Sequence, residues 1–346
     1  MYLPVLQVLR AVAALLVLLF HARLAMAQHP DLQSLRAVFQ YGFVGVDIFF
    51  VLSGFVVGMS AQAMLQGLSL KNFAYRRMGR IYLGYWPIFA CAVLVWHSGT
   101  GAVKLNYAQF WPSLLLLEPH LYSNWLIVAW SLTYELYFYA LIGLAHYSGR
   151  PKTLIAFFCT GLLCLHLYWH QQMGGTYIHG TPWPFVLSPF CLSFFAGYAV
   201  LLCYQSHGAN FSWCILGLGM LIFGAYLGMN CALCADVPLY RVGSFGLCGV
   251  GALILALGLQ GLWKSAPAWL AAGAALGDSS YSLYLWHTVL LQIGAYLIGQ
   301  CLPQARTTML LFALLLPVLC VLWATVWFRY VEWPLYKKFL SYFATN

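Results

Sequence analysis

Charged residues are scarce in this chain. Lysine, arginine, aspartate and glutamate together make up 7% of its 346 residues, whereas a soluble globular domain has about 25%. Hydrophobic residues account for 63%, and the mean hydropathy is +0.82. This composition excludes an ordinary soluble enzyme and predicts an integral membrane protein with no room for a separate soluble domain.

Negative charge is the scarcer sign, since seven acidic residues stand against sixteen basic ones and the formal net charge is +9. In a soluble protein this excess would suggest a nucleic-acid partner. Here the cations flank hydrophobic segments, and no basic domain stands apart. We therefore expect them to orient the chain in the membrane and to bind an anionic ligand, with no nucleic acid as partner.

Metal motifs and internal repeats are also lacking. The histidines His166, His170 and His179 have no metal-ligand spacing, so we predict no metal site. Most of the eleven cysteines lie in apolar runs, where cysteine packs as a small hydrophobe. The close pair Cys231 and Cys234 is a redox or disulfide candidate without a supporting context.

Hydrophobic windows predict an all-α fold, a polytopic bundle of about ten membrane-spanning helices in a single domain over residues 1–346. A further stretch from Phe110 to Leu117 is too short to span and is either re-entrant or interfacial. The predicted spans are residues 4–24, 42–62, 78–98, 124–146, 153–170, 185–205, 212–230, 243–263, 279–299 and 308–330.

The distribution of cations predicts that both termini are cytoplasmic. With a cytoplasmic amino terminus, ten cations fall on the inner side and five on the outer side, as the positive-inside rule requires. The inner set is Lys71, Arg76, Arg77, Arg80, Arg150, Lys152, Lys264, Arg329, Lys337 and Lys338. The outer set is Arg23, Arg36, Lys104, Arg241 and Arg306.

The first span carries two polar residues, Arg10 and His21, inside an apolar run. They are eleven positions apart, so both project from one helix face roughly 16 Å apart. Ionisable groups inside a membrane are costly and usually mark a functional site. Two alternatives stay open: the pair is structural, or residues 1–27 are a cleaved signal peptide that ends in the small residues of Ala25–Met26–Ala27.

The second span places Asp47 about a turn below the outer surface, near the expected height of His21. A carboxylate beside an imidazole orients the ring and stabilises the cation that forms when the ring takes a proton. The alternative is an acidic residue favoured by the helix dipole at the start of a helix. Small residues here, including Gly42, Gly45 and Gly54, allow close helix packing in either case.

Three arginines, Arg76, Arg77 and Arg80, lie at the start of the third span on the predicted cytoplasmic side, where they open a helix whose N-terminal amides attract anions. Arginine forks match phosphate oxygens, so the cluster predicts a phosphate-bearing cytoplasmic ligand. The alternative is a topological anchor or a contact to anionic lipid headgroups.

Two later spans carry further intramembrane groups. Glu135 falls near mid-membrane, where an unpaired carboxylate is costly, so we expect it to be protonated or paired with a cation such as Arg10. His287 brings a second imidazole well inside the bilayer.

Together these segments resemble acyltransferase family 3, a family of integral membrane acyltransferases, over essentially the whole chain. Five motifs match in order. They are the pair Arg10 and His21 with ten residues between them, residues 45–55 (GVDIFFVLSGF), residues 77–82 (RMGRIY), residues 130–135 (WSLTYE) and residues 280–287 (SYSLYLWH). The chain departs from the family where Leu83 and Trp333 replace common prolines. Gln7, where aspartate is common, is similar to the branch that modifies exopolysaccharide.

The resemblance implies transfer of an acyl group, usually acetyl, from cytoplasmic acyl-CoA to a carbohydrate hydroxyl, with acyl-CoA as a cosubstrate and no permanently bound cofactor. The protein would lie in a bacterial inner membrane among its lipids. We expect His21 to be the general base and Asp47 to orient it. The other expected roles are CoA binding by Arg76, Arg77 and Arg80, a tunnel lined by Arg10, and tunnel, relay or acceptor positions for Glu135, Trp130, Ser131, Tyr281 and His287.

Two other functional classes compete with this reading. Intramembrane arginine, histidine and carboxylates also suit a proton-coupled transporter of a small acid or a lipid-linked sugar. A structural subunit of a polysaccharide assembly complex is the other class. Transporters often contain internal repeats, and no second copy of the Arg10 to His21 pattern occurs, which favours the enzyme.

Overall fold

The computed structural model describes residues 3–24, 32–96, 109–173, 183–230, 238–263, 267–301 and 306–344. Every regular element in these ranges is helical, which confirms the all-α prediction. The α-helices are α1 Pro4–Ala22, α2 Gln33–Phe39, α3 Val44–Gln62, α4 Leu70–Val95, α5 Phe110–Leu114, α6 Trp130–Tyr147, α7 Pro151–Met173, α8 Trp183–Val186, α9 Phe190–His207, α10 Phe211–Asn230, α11 Pro238–Arg241, α12 Leu247–Leu262, α13 Ala268–Asp278, α14 Ser280–Cys301, α15 Arg306–Trp327 and α16 Trp333–Ala344.

Each predicted span coincides with a long helix. Eight helical stretches of the described chain are long and apolar enough to cross a membrane. Helices α9 and α14 correspond to two further predicted spans. The predicted and observed first residues differ most at the third span, which is predicted to begin at residue 78, whereas α4 begins at Leu70. The chain is thus a polytopic membrane bundle. The positions of its termini remain a prediction.

Several sequence-level predictions concern residues outside the described ranges. These are the signal-peptide cleavage site, Lys104, His179, the Cys231 and Cys234 pair, and Lys264.

The chain forms two compact units, each assembled from three separate stretches. The first consists of Met1–Arg10, Val46–Tyr75 and Glu135–Ala274. The second consists of Ala11–Gly45, Arg76–Tyr134 and Ala275–Asn346.

Close helix packing in the first unit depends on glycine. A Cβ atom on Gly54 of α3 would lie 1.7 Å from the carbonyl oxygen of Phe194, and one on Gly197 of α9 would lie 1.9 Å from that of Val51. The two glycines therefore let the backbones of α3 and α9 touch, as small residues do between membrane helices. The same unit packs α10 on α12 through Gly217, where a Cβ would lie 2.4 Å from the amide nitrogen of Leu255.

Glycine has the same role in the second unit, where α1 meets the segment that leads into α3. A Cβ atom on Gly42 would lie 2.2 Å from the carbonyl oxygen of Leu16, and one on Gly45 would lie 2.2 Å from that of Ala13. The predicted use of Gly42, Gly45 and Gly54 in close packing is confirmed. This contact fixes the last turns of α1, which carry His21.

The short hydrophobic stretch after α4 is held against that helix by hydrogen bonds. Aromatic side chains of α4 donate to three successive backbone carbonyls of the segment. The bonds are Tyr85 to Ser113 (2.7 Å), Trp86 to Leu114 (3.2 Å) and Tyr82 to Leu115 (2.8 Å). These bonds satisfy carbonyls around the end of α5, which ordinary helical bonding leaves open.

Candidate active site

The second unit contains most of the residues that the sequence singles out. Arg10, Asp47 and Glu135 belong to the first unit. The members in the second unit are His21, Arg76, Arg77, Arg80, Trp130, Ser131, Tyr281 and His287.

Two histidines of the second unit are in direct contact. Nε2 of His287 lies 3.1 Å from Nδ1 of His21, and the ring centroids are 4.9 Å apart. His287 is fully buried, whereas His21 is partly buried. Helices α1 and α14 thus present one imidazole to the other, although 266 residues separate them in sequence.

Backbone carbonyls determine which ring nitrogens carry protons. Nδ1 of His287 lies 3.1 Å from the carbonyl oxygen of Leu283, and because a carbonyl only accepts, this nitrogen must be the protonated one. In the neutral ring Nε2 is then an acceptor. Nδ1 of His21 faces two acceptors, this nitrogen and the carbonyl oxygen of Val17 at 3.0 Å. Nδ1 of His21 therefore carries a proton, and the two acceptors share it.

With its proton on Nδ1, the neutral ring of His21 has no proton on Nε2, and the lone pair of that nitrogen is available. This nitrogen can therefore take a proton from a substrate hydroxyl. His287 supplies the acceptor that holds the ring, which is the part played by a carboxylate in a catalytic triad.

A pair of hydroxyls lies beside the histidines. The hydroxyl oxygens of Tyr284 and Ser131 are 2.6 Å apart, and both approach the carbonyl oxygen of Val128, at 3.3 Å and 3.0 Å. The ring of Tyr284 is 6.0 Å from that of His287. The start of α6, with Trp130 and Ser131, is thereby attached to the histidine-bearing turn of α14.

Arg80 is paired with a buried carboxylate. Its Nη1 lies 2.8 Å from Oε1 of Glu332, which is 2% exposed, and Ser282 donates to the other oxygen of that carboxylate. Glu332 ends a π-helical segment, Phe328–Glu332, between α15 and α16. The hydroxyl of Tyr281 donates to the carbonyl of Ile81 at 2.8 Å. Arg80 thus ties α4 to the segment that ends at Glu332, and Tyr281 ties α14 to α4. Their roles in binding donor and acceptor stay predictions.

The position of Arg76 and Arg77 within their helix also differs from the prediction. The sequence suggests that they open a helix whose free amide groups attract an anion. Helix α4 begins at Leu70, where Ser69 caps the backbone of Asn72, so Arg76 lies more than a turn inside the helix. Arg76 is exposed and Arg77 is partly buried. Any anion here would be bound by side chains and not by the helix terminus.

Asp47 has a different partner from the expected one. It lies in the first turn of α3 and is fully buried. Nε and Nη2 of Arg241 donate to its oxygens, with the shortest distance 2.9 Å. The sequence predicts that Asp47 pairs with His21, whereas the observed partner of His21 is His287. A buried carboxylate needs a cation, and Arg241 supplies it.

Two hydroxyl groups are the observed hydrogen-bond donors to Glu135. Its carboxylate accepts hydrogen bonds from Ser53 of α3, at 2.9 Å, and from Tyr139 one turn along α6. Arg10 donates to Gln7 within α1 at 3.2 Å. Neutral hydroxyls thus stabilise Glu135 inside the first unit.

Sequence reasoning missed Arg241, Glu332 and Tyr284 as site components. The signal for Glu332 was available, because it is the only acidic residue after Asp278 and lies in an apolar stretch. Sequence reasoning also missed Glu118, which is 5% exposed and accepts a bond from the amide of His120. No group of metal-ligating side chains that could hold an ion occurs in the described part of the chain.

Residues 3–328 match a family model described as an acyltransferase domain. The chain belongs to this acyltransferase family. The motifs quoted above therefore identified the family correctly.

A similar curated protein is the exopolysaccharide production protein ExoZ of Rhizobium meliloti (strain 1021). It is 26% identical over 307 residues, which are 80% of this chain and 83% of that protein. No solved structure matches the chain.

Proposed function

We propose that this acyltransferase moves an acyl group, most simply acetyl, from cytoplasmic acyl-CoA to a hydroxyl of an exopolysaccharide-type sugar, in a bacterial inner membrane. Family membership supports the acyl transfer, and the name of ExoZ, an exopolysaccharide production protein, supports the class of acceptor. The observation that carries the mechanism is the contact between His21 and His287.

His21 acts as the general base in this proposal. Its Nε2 takes the proton of the sugar hydroxyl while that oxygen attacks the thioester carbonyl carbon. The carbon–sulfur bond then breaks, and the proton on Nε2 passes to the departing thiolate of CoA. The acyl group ends on the sugar oxygen, CoA leaves as a thiol, and the histidine returns to its starting tautomer.

His287 positions this base. Its lone pair on Nε2 keeps the proton of His21 on Nδ1, and it continues to accept that bond while His21 is an imidazolium. A neutral partner does this without the desolvation cost of a buried carboxylate. The orienting role expected for Asp47 therefore passes to His287 in our account.

The first unit has supporting roles. Asp47 with Arg241, and Glu135 with Ser53, form pairs that fix α3 against α11 and α6. Arg10 remains our predicted contact to the pantetheine arm. Arg76 and Arg77 remain the predicted ligands of the CoA phosphates.

The test of this function is CoA release by the purified protein in lipid vesicles. We expect release from acetyl-CoA that depends on added exopolysaccharide, with the label of an acetyl-labelled donor appearing on the polymer. Absence of turnover with every acyl-CoA and acceptor, together with proton-linked uptake of a small acid into the same vesicles, would contradict it and favour a transporter.

A further inference from the structure

The last helix, α16, packs directly on the arginine-bearing turns of α4. The ring of Phe339 occupies the space over Gly79, where a Cβ would lie 2.3 Å from its Cε1. The hydroxyl of Tyr336 donates to the carbonyl of Arg76 at 3.5 Å, and the guanidinium of Arg80 lies 5.8 Å from the centre of the Tyr336 ring. Tyr336 and Phe339 are three residues apart and share one helix face.

Two lysines lie between these anchoring residues. Lys337 and Lys338 follow Tyr336 in sequence, and both are exposed. Around α16 the two lysines lie on either side of the face that carries Tyr336 and Phe339, each about 130° from its middle, so their long side chains leave the helix at the same turns but directed away from α4. Lys337 also lies 5.0 Å from the centre of the Trp333 ring. Arg76 is exposed on α4 close to this contact.

The two segments that carry these cations supply almost no negative charge to balance them. Helix α4 contains no acidic residue, and Glu332 is the only one from residue 328 to the end of the chain. The carboxylate of Glu332 is buried and already paired with Arg80. Like charges brought together by packing repel one another unless an anion joins them.

We propose that Lys337 and Lys338 of α16 join Arg76 of α4 in one phosphate-binding surface, which holds the nucleotide phosphates of the acyl-CoA donor. This inference rests on the proposed function and extends it, because it adds a second helix to the donor site. It also assigns different roles within the arginine motif. Arg80 ties α4 to Glu332, and the exposed cations around it bind the ligand. Anionic lipid headgroups offer the same chemistry, so the test separates the two sources.

The test compares two double variants in vesicles of neutral lipid. Lys337→Gln with Lys338→Gln removes two cations from the proposed surface. Arg150→Gln with Lys152→Gln removes two exposed cations of the same predicted membrane side at the start of α7. The donors are acetyl-CoA and acetyl-pantetheine, which has the thioester without the nucleotide phosphates.

We expect the lysine variant to raise the KM for acetyl-CoA about tenfold with kcat unchanged, since each charge-assisted phosphate contact at an exposed site contributes modestly. Kinetics with acetyl-pantetheine should not change, and the control variant should match wild type with both donors. Equal losses with both donors would overturn the inference, because they would show a structural effect of α16.

Two further outcomes are decisive. An unchanged KM for acetyl-CoA in neutral lipid, with a loss only in vesicles of anionic lipid, would assign the lysines to headgroups and overturn the donor site. That result leaves the proposed function standing, because wild type still turns over acetyl-CoA. No turnover of acetyl-CoA by wild type would instead overturn the proposed function and this inference with it.

Discussion

Nδ1 of His21 donates to Nε2 of His287 across 3.1 Å, and the carbonyl oxygen of Leu283 fixes the proton on the far side of the second ring. The order of donors and acceptors runs in one direction and ends at Nε2 of His21. In the function we propose, this series of hydrogen bonds orients His21 as the base.

Loss of His287 should reduce the chemical step and leave donor binding intact. We expect His287→Leu to lower kcat roughly a hundredfold, since general-base catalysis contributes at least that much and the base would lose its orientation. His287→Gln, whose amide oxygen can accept in place of Nε2, should recover part of the rate. The KM for acetyl-CoA should stay near wild type in both variants. A kcat for His287→Leu close to wild type would show that the contact has no catalytic role.

Separating Arg80 from Glu332 should destabilise the second unit. Glu332→Gln leaves a partly buried guanidinium without its counter-charge, which we expect to cost about 2 kcal/mol, below the range for fully buried pairs because Arg80 is 23% exposed. Thermal unfolding in detergent measures this cost. Adding Arg80→Met to Glu332→Gln should recover most of the loss, whereas strictly additive losses would contradict a direct pair.

Asp47 and Arg241 should contribute to stability as a pair, as single variants of each would show. Each of Asp47→Asn and Arg241→Gln should cost about 3 kcal/mol of stability, because each leaves a buried partner unpaired. The residual activity per folded molecule should be alike in both variants. An Asp47→Asn protein of normal stability with a much lower kcat than Arg241→Gln would return to Asp47 the role of orienting His21.

The contact between α3 and α9 should not tolerate a methyl group. Gly54→Ala places a Cβ 1.7 Å from the Phe194 carbonyl oxygen, and we expect a loss of about 3 kcal/mol or failure to fold. Gly219→Ala is the matched control, since nothing lies within 4 Å of its added Cβ. It should be neutral or stabilising by up to about 1 kcal/mol, because alanine favours the helix. Equal thermal stability of the two variants would contradict the packing.

The sequence predicts the helices well because a membrane span needs only length and apolar composition, both of which are local. It also indicates which residues make polar contacts inside the bundle, since each breaks an apolar run. His21, Asp47, Glu135 and His287 are examples.

Their partners could not be found in this way. Asp47 and Arg241 are 194 residues apart, and His21 and His287 are 266 residues apart. Which helices become neighbours depends on small-residue contacts such as Gly54 against Phe194, and no local pattern encodes those choices. The expected height in the membrane pairs Asp47 with His21, whereas the fold pairs Asp47 with Arg241 and His21 with His287.

The most direct test of the central claim compares His21→Ala with wild type in acceptor-dependent release of CoA, with His207→Ala as a histidine control outside the site. We predict that His21→Ala binds acetyl-CoA normally but loses turnover by at least a hundredfold, because the lone pair of the neighbouring His287 lies in a fully buried ring and is not placed where Nε2 of His21 was. His207→Ala should match wild type. Turnover by His21→Ala at the rate of wild type would contradict the account.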